Sequence, residues 1–167
     1  MIKIFLLACL LIPLALSAQR IKKNEVNGFT DERTIETSIV TLKQGFSTGF
    51  GVEFTAVNKI YYLSLIGYGR NNSVVANDDR LQFIFNNGAI VKFNSRVELP
   101  SGDGAVPNLY IHHYYIKLSD IEMIRNNTIV IVRVMSPDGS ANDIPVVKKN
   151  AKELSKLSEI FIKEVNK

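Results

Sequence analysis

The sequence predicts a mainly β protein: a single antiparallel β-sandwich or strongly curled sheet, with a short helix near 119–126 and a C-terminal helix near 150–166. Three observations carry this. Runs rich in β-branched residues recur through the middle of the chain, at Thr34–Leu42 and Thr128–Met135 among others, and such residues suit the pleated, half-buried surface of a strand. Turn-forming pairs built on Asn, Gly and Pro separate these runs. Only two segments show a helical pattern, and the longer closes the chain.

The chain opens MIKIFLLACLLIPLALSAQR. Lys3 supplies a short positive region, Ile4 to Leu16 an apolar run, and Ser17-Ala18 the small residues of a cleavage site, which is the layout of a secretory signal peptide. The run is shorter than the roughly 20 residues of a membrane span. Cleavage is expected near Ala18, with Ser17 as the alternative because Leu16 is less usual than Ala three residues before the cut. The expected organisation is residues 1–18 as signal peptide, 19–24 as a loose leader and 25–167 as one β-rich domain. Leu6-Leu7-Ala8-Cys9 is similar to a lipobox, but only eight residues precede the cysteine, so Cys9 is read as a small apolar member of the signal rather than a lipid attachment point. Cleavage would leave about 149 residues, enough for one domain to rely on its core. The mature chain would contain no cysteine, hence no disulfide and no thiolate chemistry. That pattern favours a bacterial secreted or periplasmic protein.

The formal charge of +4 falls to +3 with the loss of Lys3, and the basic residues are scattered. A clustered patch is the footprint of nucleic-acid binding, so no nucleic-acid partner is expected. No later segment is apolar enough over a sufficient length to span a membrane.

After the leader, Thr34–Leu42 reads as one strand. Gly49–Ala56 and Ile60–Tyr68 flank a polar turn at Asn58-Lys59 and read as a hairpin. The segment RLQFIFNNGAIVKFN carries Asn87-Gly88, the pair that a two-residue type I′ turn prefers. That turn would set Phe85 opposite Ile90, Ile84 opposite Val91 and Phe83 opposite Lys92, leaving both faces apolar and covered. Leu109–Lys117 and Thr128–Met135 are further strands, and Ser136-Pro137-Asp138-Gly139 turns the chain into another near Ile144–Val147. The total expected is seven or eight strands. Ser119 and Glu122 form a capping-box pattern for the short helix. In the last helix Ala151, Leu154, Leu157, Phe161, Ile162 and Val165 share one arc, opposite Lys152, Lys156, Glu159 and Lys163. It should cover the sheet. Its polar face is mixed in sign, which argues against a membrane-surface role.

Both histidines lie side by side in NLYIHHYYIKL. Successive side chains of a strand point to opposite faces, so His112 and His113 do not reach one metal. No carboxylate stands two residues from either to orient it. The period places Tyr110, His112 and Tyr114 on one face, a candidate aromatic stripe for contact with a partner, and Leu109, Ile111, His113 and Tyr115 on the other. Gly45–Gly51 lacks the Lys-Ser/Thr of a phosphate loop. Turn chemistry accounts for the acidic loops at Asn77–Asp79 and Ser101–Gly104 without calcium. There is no Gly-x-Ser-x-Gly elbow. Glu36, Glu53 and Glu98, in or beside strands, are the carboxylates that a hydrolase would draw on. The sequons at Asn71 and Asn126 matter only in a eukaryotic host. No catalytic residue, metal ligand or cofactor is assigned.

Lys23-Asn24-Glu25-Val26, Phe29-Thr30 and Glu36-Thr37-Ser38, followed by the Asn87-Gly88 turn, the helix start at Leu118–Asp120 and a Lys-rich closing helix, make the chain resemble a group of small exported bacterial proteins of unknown function. The resemblance implies export and bacterial origin, and supplies no reaction. The expectation is a non-enzymatic binding or interaction protein of the envelope, with an unidentified protein or envelope partner. The alternatives are a hydrolase-type enzyme using dispersed carboxylates, with His112 or His113 assisting, and a structural or assembly component of the envelope.

Overall fold

The computed structural model describes residues 20–44, 48–69, 80–93, 96–97, 109–135 and 138–167. Residues 1–19, which include the expected signal peptide and Cys9, and residues 45–47, 70–79, 94–95, 98–108 with Glu98, and 136–137 lie outside the described residues.

Eleven strands and two helices follow one another among the described residues: β1 (Ile21–Val26), β2 (Arg33–Thr37), β3 (Val40–Gln44), β4 (Thr48–Val57), β5 (Ile60–Gly69), β6 (Arg80–Phe85), β7 (Ile90–Phe93), β8 (Arg96–Val97), β9 (Leu109–Tyr115), α1 (Leu118–Asn126), β10 (Ile129–Met135), β11 (Ala141–Pro145) and α2 (Lys148–Val165). The protein is mainly β, with two antiparallel sheets. The larger runs β1-β2-β4-β5-β9-β8, with β3 also on β4; the smaller runs β11-β10-β6-β7. Helix α1 carries the chain from β9 of the first sheet to β10 of the second.

One continuous core joins the sheets and α2. Phe93 of the small sheet meets Tyr114 of the large one at 6.2 Å between ring centres. Helix α2 lies against β2, β3 and β4 of one sheet and β10 of the other. It does so through the arc its periodicity marks: Ala151, Leu154, Leu157, Phe161 and Ile162 are buried, while Lys152, Lys156, Glu159 and Lys163 are exposed. Ser158 also lies on the buried face, where its hydroxyl donates to the Leu154 carbonyl (2.9 Å). A serine inside an apolar arc is tolerated because the helix supplies its partner one turn back.

Five sequence expectations are corrected. First, the run at Thr34–Leu42 is two strands, β2 and β3, both on the same edge of β4. In the break, the buried hydroxyl of Thr37 accepts the Phe54 N–H (2.9 Å), replacing the ladder bond that the interruption removes. Second, Ile21–Val26 is strand rather than loose leader. Its surroundings tie it to α2: Arg20 donates to the Glu153 carbonyl (3.0 Å) and Asn24 to the Glu164 carboxylate (2.7 Å).

Third, the cap of α1 lies two residues earlier than the Ser119–Glu122 pattern predicts. Lys117 is the N-cap, and its N–H donates to the carboxylate of Asp120 (3.1 Å), so Asp120 takes the place expected of Glu122. Fourth, the total exceeds seven or eight strands, because β1, the β2/β3 break and the two-residue β8 were not legible.

Fifth, the β6–β7 hairpin has a three-residue loop. The Gly88 N–H bonds the Phe85 carbonyl and the Phe85 N–H bonds the Ala89 carbonyl, both at 3.0 Å. Only Gly88 of the loop has positive φ, at 81°, which fits a type I turn closed by a glycine bulge. Asn86 is drawn off the hairpin by Thr128, the residue before β10: its N–H donates to the Thr128 carbonyl (2.9 Å) and its side-chain oxygen accepts the Thr128 N–H (3.3 Å). The register therefore slips by one, with Ile84 opposite Ile90 and Phe83 opposite Val91. A one-residue slip moves a strand's side chains to the other face. Val91 and Phe93 join Leu81, Phe83 and Phe85 in the core, Ile90 is exposed, and the hairpin is apolar on one face rather than both.

Candidate functional site

Strand β9 separates the two histidines. His112 stands opposite Leu65 and Tyr114 opposite Leu63, on the inner face of the large sheet. They are 4% and 1% exposed. The aromatic stripe expected to meet a partner is thus core at these two positions, because the other strands put their apolar sides on that same face. The side chain of Tyr110 lies outside the described residues.

His113 is on the outer face, opposite Ser64 of β5, and the Ser64 hydroxyl shares a hydrogen bond of 2.8 Å with its Nδ1. Ser64 in turn stands opposite Glu53 of β4. The row Glu53–Ser64–His113 therefore crosses three strands. Next to it runs the row Glu36–Thr55–Tyr62–Tyr115, with the Tyr62 and Tyr115 rings 5.2 Å apart. Burial lifts the Glu53 carboxyl above the ordinary carboxylate range. Lys22 opposes that lift, the neighbouring charge of Glu36 adds to it, and the Ser64 hydroxyl opposes it. Burial and then Tyr115 raise the Tyr62 phenol.

Three residues noted separately in the sequence, Glu36, Glu53 and His113, thus come together, and Ser64 joins them. Ser64 was missed; its only signal is a lone hydroxyl inside the apolar run IYYLSLIGY. Being fully buried, it links a carboxyl to an imidazole and presents no exposed nucleophile. Among the described residues no three His, Cys, Asp or Glu side chains converge as a metal set.

A cavity of about 480 Å³ opens elsewhere, between the β4–β5 turn, the start of β2 and the end of α2. Ile35 and Ala56, from the inner face of the sheet, are buried at its base, and Ile60, Tyr61 and Val165 complete its apolar wall. Arg33, Asn58, Lys59 and Lys167 are its polar lining. The turn that shapes it is tight: Val57 pairs with Ile60, leaving Asn58 and Lys59 as the loop, with φ of 52° and 105°. Positive φ at both positions is the type I′ pattern. The loop is pinned to β2, since the Asn58 N–H donates to the Arg33 carbonyl (2.9 Å) and the Asn58 side-chain oxygen accepts the Arg33 N–H (3.0 Å). The Arg33 guanidinium in turn donates to the Glu164 carbonyl at the end of α2 (3.2 Å). Sequence reasoning placed the turn but not the cavity, because its walls come from segments more than a hundred residues apart.

No family model, curated protein or solved structure matches the chain. Among the described residues, no helix is long and apolar enough to cross a membrane.

Proposed function

We propose that this is an exported, non-enzymatic binding protein of the bacterial envelope that takes a small, largely apolar ligand into the cavity between the β4–β5 turn and the end of α2. The carrying observation is the cavity itself. Its volume of about 480 Å³ falls within the roughly 300–1,000 Å³ of small-molecule sites, which are mostly apolar with a few polar groups. Its lining includes neither a histidine nor a carboxylate side chain, so an acid–base pair does not converge where a substrate would sit. The signal-peptide layout and the resemblance to exported bacterial proteins support the location. Titration with 1-decanol, followed by the methyl resonances of Ile35 and Val165, tests the reading. Saturable shifts at both support it; no shift up to the solubility limit of the alcohol overturns it.

A second reading has one observation in its favour. The row Glu53–Ser64–His113 joins a carboxyl whose pKa burial raises to an imidazole, the kind of pairing that acid–base catalysis uses. On this alternative the protein is a hydrolase-type enzyme, and Glu53→Gln or His113→Ala should abolish turnover of an activated glycoside or ester. Turnover unchanged in both variants rejects it.

A further inference from the structure

We propose that the ligand of this cavity is a single-chain amphipathic anion, a carboxylate on an apolar chain, and that Lys59 receives its headgroup; the proposal rests on the binding reading above. The lining sorts into two zones. Ile35, Ala56, Tyr61 and Val165 offer an apolar chain a place away from water, while three of the remaining side chains, Arg33, Lys59 and Lys167, are cationic and none is acidic. Apolar contact fixes where a chain lies, and the charged mouth selects the sign of its head.

The three cations are not equivalent. Arg33 and Lys167 both reach the Glu164 carboxylate, at 3.4 and 2.8 Å, so much of their charge is answered within the protein. Among the described residues no carboxylate pairs with Lys59. Lys59 is therefore the rim cation available to an incoming anion.

Its backbone makes the same case independently. Lys59 sits at φ 105° in a two-residue turn, a conformation that glycine adopts freely and a side chain bearing Cβ adopts under strain. Of the other described loop positions with positive φ, two are glycines, Gly88 at 81° and Gly139 at 86°, and two are Asp31 at 54° and Asn58 at 52°, the residue types that tolerate the left-handed region. At the cavity lip the chain keeps a lysine where glycine would relax the turn. A local rule broken at the mouth of a site is a mark of function.

The strain also supplies a clean test. Lys59→Gly removes the ammonium while easing the backbone, so a loss of binding does not arise from unfolding. Calorimetric titrations of the full chain with decanoate, 1-decanol and decyltrimethylammonium are compared for the unmodified protein, Lys59→Gly and Lys59→Arg. The unmodified protein should bind decanoate at least roughly fivefold tighter than decanol, as expected for one exposed ion pair at the strong end of its range, and bind the cation most weakly. Lys59→Gly should abolish the preference with an unchanged or raised melting temperature, and Lys59→Arg should retain it. Equal affinity for decanoate and decanol overturns anion recognition but leaves the binding reading standing. Binding of none of the three overturns both. A preference that survives in Lys59→Gly removes Lys59 from the role. Uptake onto phosphatidylglycerol vesicles without binding of free decanoate would identify a membrane surface instead and overturn the single-chain ligand.

Discussion

The Ser64 hydroxyl lies 2.8 Å from Nδ1 of His113, across the β5–β9 ladder, and is fully buried although it belongs to the outer face of the large sheet. With Glu53 beside it on β4, this one hydroxyl connects side chains of three strands. Removing it should show first in stability. Ser64→Ala deletes the hydroxyl shared by Glu53 and His113, both of which are only partly buried, so the expected cost is about 1 kcal/mol, the low end for losing one partner of a buried hydrogen bond. Urea denaturation measures it. A cost near zero would mean that water replaces the hydroxyl at no loss.

Glu53 provides a pH signature. Burial raises its pKa in the folded protein, so the folded state holds the proton more tightly than the unfolded chain. The associated stability is present below the unfolded carboxylate pKa and is lost as pH rises through the window up to the raised folded value. At neutral pH the ionised group is a net burden, and Glu53→Gln should raise the melting temperature at pH 7. The gain should shrink as pH falls to about 4, where both states of the wild type are largely protonated. A Gln variant that is less stable than wild type at both pH values would show that the contacts with Lys22 and Ser64 outweigh the burial.

The histidines should separate on substitution. His112→Ala empties a nearly closed site opposite Leu65 and is expected to cost about 2 kcal/mol or more, as for other large-to-small changes in a core. His113→Ala, at the partly exposed outer face, should cost less. Thermal melts of the two variants decide it, and an equal loss would contradict the assignment of faces.

Gly51 should resist enlargement. A Cβ there would stand 2.8 Å from the Val40 carbonyl oxygen and 2.6 Å from the Cγ2 of Ile39. The exposed Ile39 side chain can turn away, but the Val40 carbonyl belongs to β3 and moves only with the strand. Gly51→Ala should cost about 1–3 kcal/mol, the range for overpacking a fitted site, and should disturb the amides of β3 before those of β5. Hydrogen exchange on the two strands separates these outcomes.

Much of the fold was legible because local chemistry is strong where it was read. The arc of α2 is set by residues three and four apart, so Leu154, Leu157 and Phe161 mark the buried side before any partner is known. Turns were less secure. Asn87-Gly88 looks like a two-residue type I′ loop, yet that geometry occurs at Asn58-Lys59. At the first turn, Asn86 is held by Thr128, the residue before β10, and the pull lengthens the loop. At the second, contact with Arg33 of β2 holds a lysine in a conformation that its own preference opposes. Both decisions come from segments remote in sequence.

The candidate sites divide in the same way. Alternation along β9 separates His112 from His113 in the sequence itself, since a period of two admits no other arrangement in an unbroken strand. Which of them looks inward is not a local property. It depends on Leu63, Leu65 and Phe93 occupying one side, and hence on how two sheets close over each other. The meeting of Glu53, Ser64 and His113, and the cavity walled by Ile35, Ala56 and Val165, likewise arise from register and docking between segments far apart in the chain. The sequence by itself determined most of the strands, both helices and the opposition of neighbouring side chains, because these follow from spacing. Only the tertiary structure decided the inner face, the register and the site, because these depend on which distant surfaces exclude water together.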